Sequence, residues 1–191
     1  MLGWLAALVL FVQLPIPLYW FVMHPQIDFW RQHRSAGYIA ALLAAWGPVT
    51  LFLVFNRREL FLPVWPAMWT VVLGFALLVL ETSIFWRVKR DLGARRLIGQ
   101  AELSGGGELA RHGIYAHLRH PRYVGSFLSI LGACFLAGTR LMWQVAAMWC
   151  ALTLIAISLE ERELRARFGA AYEDYCRRVP RFLPLGTKPP A

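Results

Sequence analysis

The residues best able to do chemistry lie close together in the segment 113–125, which reads Gly-Ile-Tyr-Ala-His-Leu-Arg-His-Pro-Arg-Tyr-Val-Gly. Its two histidines, two arginines and two tyrosines stand where a polar loop gives way to an apolar stretch. Proline favours the first turn of a helix, so Pro121 is predicted to begin one. Because the backbone amides of that turn are unpaired and carry positive partial charge, they attract anions. We therefore predict a ligand site here that accepts a carboxylate or a phosphate.

Two carboxylates, Glu160 and Glu161, are predicted to lie near this segment. They follow the last long apolar stretch, and only residues 139–140 separate that stretch from the one before it. Such a short connection predicts an antiparallel helical hairpin whose open ends meet at one membrane face. Carboxylates beside a basic, aromatic loop suit a cationic or hydroxyl-rich ligand. The alternative interpretation is structural, a solvated helix end in which these glutamates pair with Arg165.

The elements that position these residues are predicted to lie in a membrane. The chain is 58% hydrophobic and only 16% charged, which is far from the composition of a soluble domain. A helix rises about 1.5 Å per residue, so about 20 apolar residues cross a hydrocarbon core of about 30 Å. We predict a single all-α integral membrane domain, residues 1–191, with about five transmembrane helices. The predicted spans are 2–23, 38–55, 64–86, 123–138 and 141–159.

Basic residues indicate the orientation of the chain in the membrane. The loops after the first and third spans and the C-terminal tail hold 17 of the 20 lysines and arginines, and only Arg57, Arg58 and Arg140 lie on the other side. Because basic loops remain in the cytoplasm, the N-terminus is predicted outside and the C-terminus in the cytoplasm. Attraction to anionic membrane lipids accounts for the net charge of +9, and no nucleic-acid partner is predicted.

The tail is predicted to form an amphipathic cytoplasmic helix over residues 160–184. Apolar side chains recur along it at helical spacing and make one apolar stripe on an otherwise charged helix. The stripe consists of Leu164, Phe168, Tyr172, Tyr175 and Val179. We expect it to lie against the membrane surface or to cap the hairpin, with a break at Gly169.

Glu81 is an acidic residue inside the third predicted span. Intramembrane acids are costly to bury and usually functional, so Glu81 is a candidate for the site, with snorkelling to the interface as the alternative. The cysteines, Cys134, Cys150 and Cys176, do not have metal-ligand spacing. We interpret them as small apolar side chains and predict no metal site.

A longer series of motifs extends from the first segment to the tail. It comprises Gly113-x-Tyr115, Arg119-His120-Pro121-x-Tyr123-x-Gly125, Glu160-Glu161, Phe168-Gly169, Tyr172, Tyr175 and Val179-Pro180-Arg181-Phe182-x-Pro184. In its order and spacing the series closely resembles the isoprenylcysteine carboxyl methyltransferase family, within the wider group of membrane phospholipid methyltransferases. The resemblance covers the C-terminal half of the chain, and the first three spans share only their apolar character.

This resemblance implies an integral membrane methyltransferase that uses S-adenosyl-L-methionine and releases S-adenosylhomocysteine. It places the cofactor-binding part at about residues 95–184. The implied cofactor positions are Gln100, Gly107, Glu108, Leu109, Ala110, Tyr115, His120, Pro121, Arg122, Tyr123 and Glu160. The implied methyl acceptor is a lipophilic small molecule or a lipid-modified molecule that enters from the bilayer.

The resemblance leaves the chemistry of the acceptor open. Prenylcysteine carboxyl methyltransferases carry an arginine about one turn before the cofactor glutamate, where it engages the substrate carboxylate, and this chain has Ala156 there. The candidates for positioning the acceptor are Arg119, Glu81, Arg162 and Arg165. A lipid amine, phenol or thiol is therefore an alternative acceptor to a carboxylate.

Two other classes of protein compete with this interpretation. One is a nicotinamide-dependent membrane reductase, since membrane sterol reductases share a related C-terminal architecture and a similar histidine-tyrosine motif. These reductases are larger and have more spans. The other is a non-enzymatic membrane scaffold, which would not need His120, Tyr123 and Glu160 together. A methyltransferase is the favoured prediction.

Overall fold

The structure is a computed structural model that describes residues 2–23, 27–60, 66–93 and 108–183. Two predicted cofactor positions, Gln100 and Gly107, lie outside these residues. The described chain is helical, and its elements are α1 Leu2–Gln13, α2 Pro15–Met23, α3 Ile27–Phe55, α4 Arg57–Leu60, α5 Met68–Leu92, a 3-10 turn at Gly113–Ala116, α6 Pro121–Ala137, α7 Arg140–Phe168 and α8 Ala170–Arg178.

Among the described residues, four stretches of helix are long and apolar enough to cross a membrane, and the chain is an integral membrane protein of the all-α class. They are Leu2–Met23, Ala36–Phe55, Met68–Leu92 and Arg140–Phe168. The predicted fourth span corresponds to α6, whose 17 residues extend only about 25 Å. Exposed apolar side chains, Leu43 and Leu154 among them, cover the outer surface of these helices, as a lipid environment requires.

Two helices extend beyond the predicted spans. The third span was expected over 64–86, with a loop from Arg87, but α5 runs from Met68 to Leu92. The fifth was expected to end at 159, but α7 continues to Phe168. Hydropathy predicts where the apolar side chains end. The backbone hydrogen bonds of each helix continue beyond that point, into charged turns.

The predicted antiparallel hairpin is confirmed, and α6 and α7 form it. Gly138 ends α6 in the left-handed conformation, at φ 58°, which a side chain would strain. Thr139 then caps α7, because its hydroxyl accepts a hydrogen bond from the Met142 amide at 3.3 Å. The same hydroxyl donates to the Leu60 carbonyl at 3.2 Å, which ties the hairpin to α4.

Helices α5 and α6 pack closely against each other because glycines lie at their crossing. A Cβ atom on Gly74 of α5 would lie 2.8 Å from the Leu136 Cγ atom and 3.0 Å from the Gly132 carbonyl of α6. The same crossing brings Glu81 of α5 opposite Gly125 of α6, where an added Cβ would lie 3.7 Å from the Glu81 Cγ atom. The pairing of these two helices thus fixes an acidic residue beside the first turns of α6.

Candidate active site

Asp91, in the last turn of α5, positions the loop before α6. Its carboxylate accepts a hydrogen bond from the Ile114 amide at 2.7 Å. Gly113 has a φ of 58°, and a Cβ atom there would overlap the Asp91 carboxylate. Glycine therefore allows the loop to turn tightly over the end of α5, and the 3-10 turn carries Tyr115 towards the start of α6.

The tail returns to the start of α6 through backbone hydrogen bonds. The Arg119 amide donates to the Pro180 carbonyl at 2.9 Å, and the His120 amide donates to the Arg181 carbonyl at 3.1 Å. His120 is the N-cap residue of α6, but its side chain makes no capping hydrogen bond. The imidazole is instead available to a partner on α7.

That partner is Glu161, which is 0% exposed and forms the centre of a charged cluster. Its carboxylate accepts hydrogen bonds from Arg119 Nη1 at 2.7 Å and from Arg181 Nε at 3.1 Å. His120 Nε2 lies 3.0 Å from the same carboxylate. Arg165 Nη2 lies 3.6 Å from it. The interpretation of Glu161 as a solvated helix end is wrong, although its predicted pairing with Arg165 is present. We call these five residues the Glu161 cluster.

A polar cavity of about 110 Å³ lies between the loop, the hairpin and the tail. Its lining is Trp20, Leu92, Leu109, Ala110, Tyr115, Arg119, His120, Arg122, Tyr123, Glu160, Glu163, Leu164, Arg167, Phe168, Tyr172 and Tyr175. Four buried polar atoms of this lining make no close hydrogen bond within the described part of the chain: Tyr123 Oη, Glu160 Oε2, Tyr172 Oη and Arg119 Nε. The Tyr123 side chain lies near the Glu160 carboxylate, and the Tyr172 side chain lies near Arg119. Buried polar groups are normally paired, so these atoms indicate a polar ligand.

The tail closes one side of this cavity. Helix α7 ends at Phe168, Gly169 has a φ of 51°, and α8 begins at Ala170. The Tyr175 hydroxyl donates to the Tyr115 carbonyl at 2.7 Å, which fixes α8 against the loop. Burial raises the pKa of both Tyr172 and Tyr175, so both phenols remain neutral.

The apolar stripe of the tail therefore packs inside the protein. Tyr172, Tyr175 and Val179 are buried together, and Leu109, Leu164, Phe168 and Cys176 pack against them. The stripe contacts the loop and the end of α7, so the tail caps the hairpin. This is one of the two arrangements that we predicted.

The structure brings most of the predicted cofactor positions to the polar cavity. Those in its lining are Leu109, Ala110, Tyr115, His120, Arg122, Tyr123 and Glu160. Glu108 is exposed and outside the lining, and Pro121 is buried at the first position of α6. The sequence argument missed Trp20, because nothing in an apolar first span distinguishes one tryptophan. It also missed Glu163 and Arg167, which charged helical sequence does not single out.

A second cavity, of about 340 Å³, lies deeper among the membrane helices, and we call it the apolar cavity. Its lining is Val12, Gln13, Ile16, Tyr19, Tyr38, Leu42, Trp46, Glu81, Ile84, Phe85, Val88, Arg122, Gly125 and Ser126. Glu81 and Arg122 are its charged residues. Arg122 lines both cavities, and its guanidinium carbon lies 5.9 Å from the centre of the Trp20 ring. Arg122 thus lies between the two cavities.

Arg162 and Arg165 were also candidates for positioning the acceptor. Neither residue lines either of the two cavities. Arg162 is exposed, and Arg165 donates to Glu173 at 2.9 Å. Ala156 is fully buried in a cluster that includes Trp20 and Tyr123, and it lines neither cavity. The cation beside the apolar cavity is Arg122.

Comparison with known proteins gives one family match. The family model described as phospholipid methyltransferase matches residues 69–171, more than half of the 191 residues. Methanethiol S-methyltransferase 2 of Bradyrhizobium diazoefficiens is 38% identical over 71 residues, which are 37% of this chain and 27% of that protein. Protein-S-isoprenylcysteine O-methyltransferase of Schizosaccharomyces pombe is 39% identical over 80 residues, 40% of this chain and 33% of that protein.

A longer match is lower in identity. Protein-S-isoprenylcysteine O-methyltransferase of Mus musculus is 27% identical over 168 residues, 83% of this chain and 55% of that protein. The chain thus spans about a third or less of the first two relatives and about half of the third. No solved structure matches the chain.

Proposed function

Because the chain belongs to the phospholipid methyltransferase family, we propose that it transfers a methyl group from S-adenosyl-L-methionine to a lipophilic acceptor within the membrane. Its relatives confirm the resemblance to the isoprenylcysteine carboxyl methyltransferases that its motifs indicate. The cofactor and the acceptor are the proposed parts of this function, and the two adjoining cavities support them.

The observation that carries the proposal is the set of buried polar atoms in the polar cavity that make no close hydrogen bond to another described residue. Glu160 Oε2 and the hydroxyls of Tyr123 and Tyr172 fit a ligand rich in hydroxyl and amino groups, such as the ribose and amino groups of this cofactor. The N-terminus of α6, together with Arg122, suits its carboxylate. Several aromatic rings suit its adenine and its positively charged sulfur, the latter by cation–π attraction of about 0.5–2 kcal/mol.

The cofactor supplies a methyl group that is already reactive, because it is attached to a sulfonium. The protein's part is therefore to bind, to align and to exclude water. The Glu161 cluster performs the alignment: it joins the start of α6, the end of α7 and the tail, and these segments carry most of the polar lining. Helix α8 excludes water, since its buried tyrosines close the side of the cavity towards the tail.

The apolar cavity supports the lipophilic acceptor. Its lining is mostly apolar and comes from α1, α2, α3, α5 and α6, so an acceptor can enter sideways from lipid. Because Arg122 lines both cavities, a reacting group beside Arg122 would lie near the proposed cofactor site. The names of two of the relatives specify a thiol and a prenylated cysteine, and both chemistries are candidates for this chain.

A turnover assay tests the proposed function. The purified protein in detergent is given S-adenosylmethionine with a deuterated methyl group, together with an alkanethiol, an alkylamine and a farnesylated cysteine analogue. We expect the labelled methyl group on at least one of these acceptors by mass spectrometry. We expect the Glu160→Ala variant to lose most of this turnover, and the Glu173→Ala variant, changed at an exposed ion pair, to retain it. No transfer to any of these acceptors or to extracted membrane lipid would contradict the proposal.

A further inference from the structure

Glu81 lies well inside α5, eleven residues before its end at Leu92. Its preceding neighbours Val79 and Leu80 are exposed apolar side chains that face lipid. An acidic residue at such a position is costly, and a pairing cation normally offsets the cost. Glu81 forms no ion pair with any residue that the structure describes.

The Glu81 side chain points towards α6. Its Cγ atom lies 3.7 Å from where a Cβ atom of Gly125 would stand, and Glu81 lines the apolar cavity with Arg122. A carboxylate that snorkelled to the interface would extend along α5 towards Arg87. Glu81 instead lies opposite Gly125, one helical turn along α6 from Arg122. Its carboxylate therefore belongs to the cavity.

We propose that Glu81 accepts a proton from the methyl acceptor and that the acceptor is a lipophilic thiol. This inference rests on the proposed function. As the thiol sulfur forms a bond to the methyl carbon, the bond from that carbon to the sulfonium sulfur breaks and its electron pair stays on that sulfur. The thiol proton goes to the Glu81 carboxylate, and later to water. Reactants and products balance with no further co-reactant.

Electrostatics favour a thiol over the two alternatives. A carboxylate acceptor is already deprotonated at neutral pH, so it needs no base. Arg122 would attract it, but Glu81 in the same lining would repel it and offset that attraction. An alkylamine is protonated at neutral pH, and Glu81 would hold it as an ammonium ion, which has no lone pair to attack with. A thiol enters the bilayer uncharged and becomes a strong nucleophile when its proton is removed.

Substitution of Glu81 tests the inference. We expect Glu81→Gln to lower the turnover of decanethiol by about 100-fold, the lower range for loss of a general base, and Glu81→Asp to restore part of it. Turnover of the farnesylated cysteine carboxylate should not fall, since removal of the negative charge removes repulsion. The affinity for S-adenosylhomocysteine should stay within about twofold, because Glu81 is outside the polar cavity. Ser83→Ala, an exposed change on the same helix, is the control and should leave all these values unchanged.

Several outcomes would overturn the inference and leave the proposed function in place. One is equal loss of thiol and carboxylate turnover in Glu81→Gln, which would give Glu81 a structural role. Another is wild-type turnover of decylamine or of the carboxylate with none of decanethiol. Failure of the wild type to bind S-adenosylhomocysteine would instead contradict the proposed function itself.

Discussion

At the scale of single residues, Glu161 links the segments that surround the polar cavity. It is fully buried, and its cations come from the loop, α7 and the tail. Removal of one partner from a buried ion pair leaves the others charged and unpaired, which costs about 3–5 kcal/mol. An exposed pair contributes about 0–1 kcal/mol, because water and salt screen it.

We therefore predict that Glu161→Gln lowers the free energy of unfolding by about 3 kcal/mol. Glu173→Gln, which removes an exposed partner of Arg165, is the matched control and should change it by less than about 1 kcal/mol. Thermal unfolding in detergent, without cofactor, measures both. Similar melting temperatures for the two variants would show that the Glu161 cluster does not hold these segments together.

The sequence predicted some of these residues and not others, for a physical reason. Tyr123 and Glu160 belong to local motifs, and the short hairpin connection is enough to bring them near one another. The burial of Glu161 depends on Arg181 and His120, which are 20 and 41 residues away in the chain. No local pattern specifies that the tail folds back over the start of α6, so the sequence does not predict the burial of Glu161.

At the scale of elements, the crossing of α5 and α6 positions both charged residues of the apolar cavity. Gly74 has no space for a methyl group, since a Cβ atom would lie 2.8 Å from Leu136. Gly47, within α3, has no atom of another helix within 4 Å of its Cβ position. The two glycines therefore differ in whether a methyl group meets a neighbouring helix.

We predict that Gly74→Ala destabilises the protein by about 1–3 kcal/mol, because the two helices must move apart. Gly47→Ala should change stability by less, because the helix propensity of alanine is opposed by its contact with the ring of Pro48. Thermal unfolding distinguishes them. Separation of α5 from α6 also moves Glu81 away from Gly125. Gly74→Ala should therefore lower the turnover of the acceptor by a larger factor than it lowers the affinity for the cofactor. Equal stability of the two variants would contradict the close packing at this crossing.

Two neighbouring residues on α3 allow a matched test of the apolar cavity. Leu42 lines it, whereas Leu43 is 67% exposed on the outer surface of the same helix. We predict that Leu42→Trp raises the KM for the acceptor at least about tenfold by filling the cavity, with little change in affinity for S-adenosylhomocysteine. Leu43→Trp should leave both unchanged. Equal KM values in the two variants would show that the acceptor binds elsewhere.

Hydropathy and motif spacing predicted which elements exist better than where they end. The apolar stretches and the two-residue connection of the hairpin are local signals, and the structure contains both. The apolar cavity had no such signal, because its lining comes from α1, α2, α3, α5 and α6. Apart from Glu81, the first three spans are almost entirely apolar, and only their packing distinguishes the residues that face a cavity from those that face lipid.

At the scale of the whole molecule, the distribution of basic residues predicts the orientation in the membrane. With 17 of 20 lysines and arginines on one side, the N-terminus should lie outside and the tail inside. Reporter fusions at the two termini measure this directly. The polar cavity would then open to the cytoplasm, where the water-soluble cofactor is available. A tail found outside the cytoplasm would remove that route.

The central claim is that the polar cavity binds S-adenosylmethionine, and calorimetry in detergent tests it most directly. The wild-type protein should bind S-adenosylhomocysteine and should not bind NADPH. Glu160→Ala should weaken binding by about 1.5–3 kcal/mol, ten- to a hundredfold, since it removes a buried hydrogen-bond acceptor, and Glu173→Ala should not. Binding of NADPH with no binding of S-adenosylhomocysteine would contradict the account and favour a reductase.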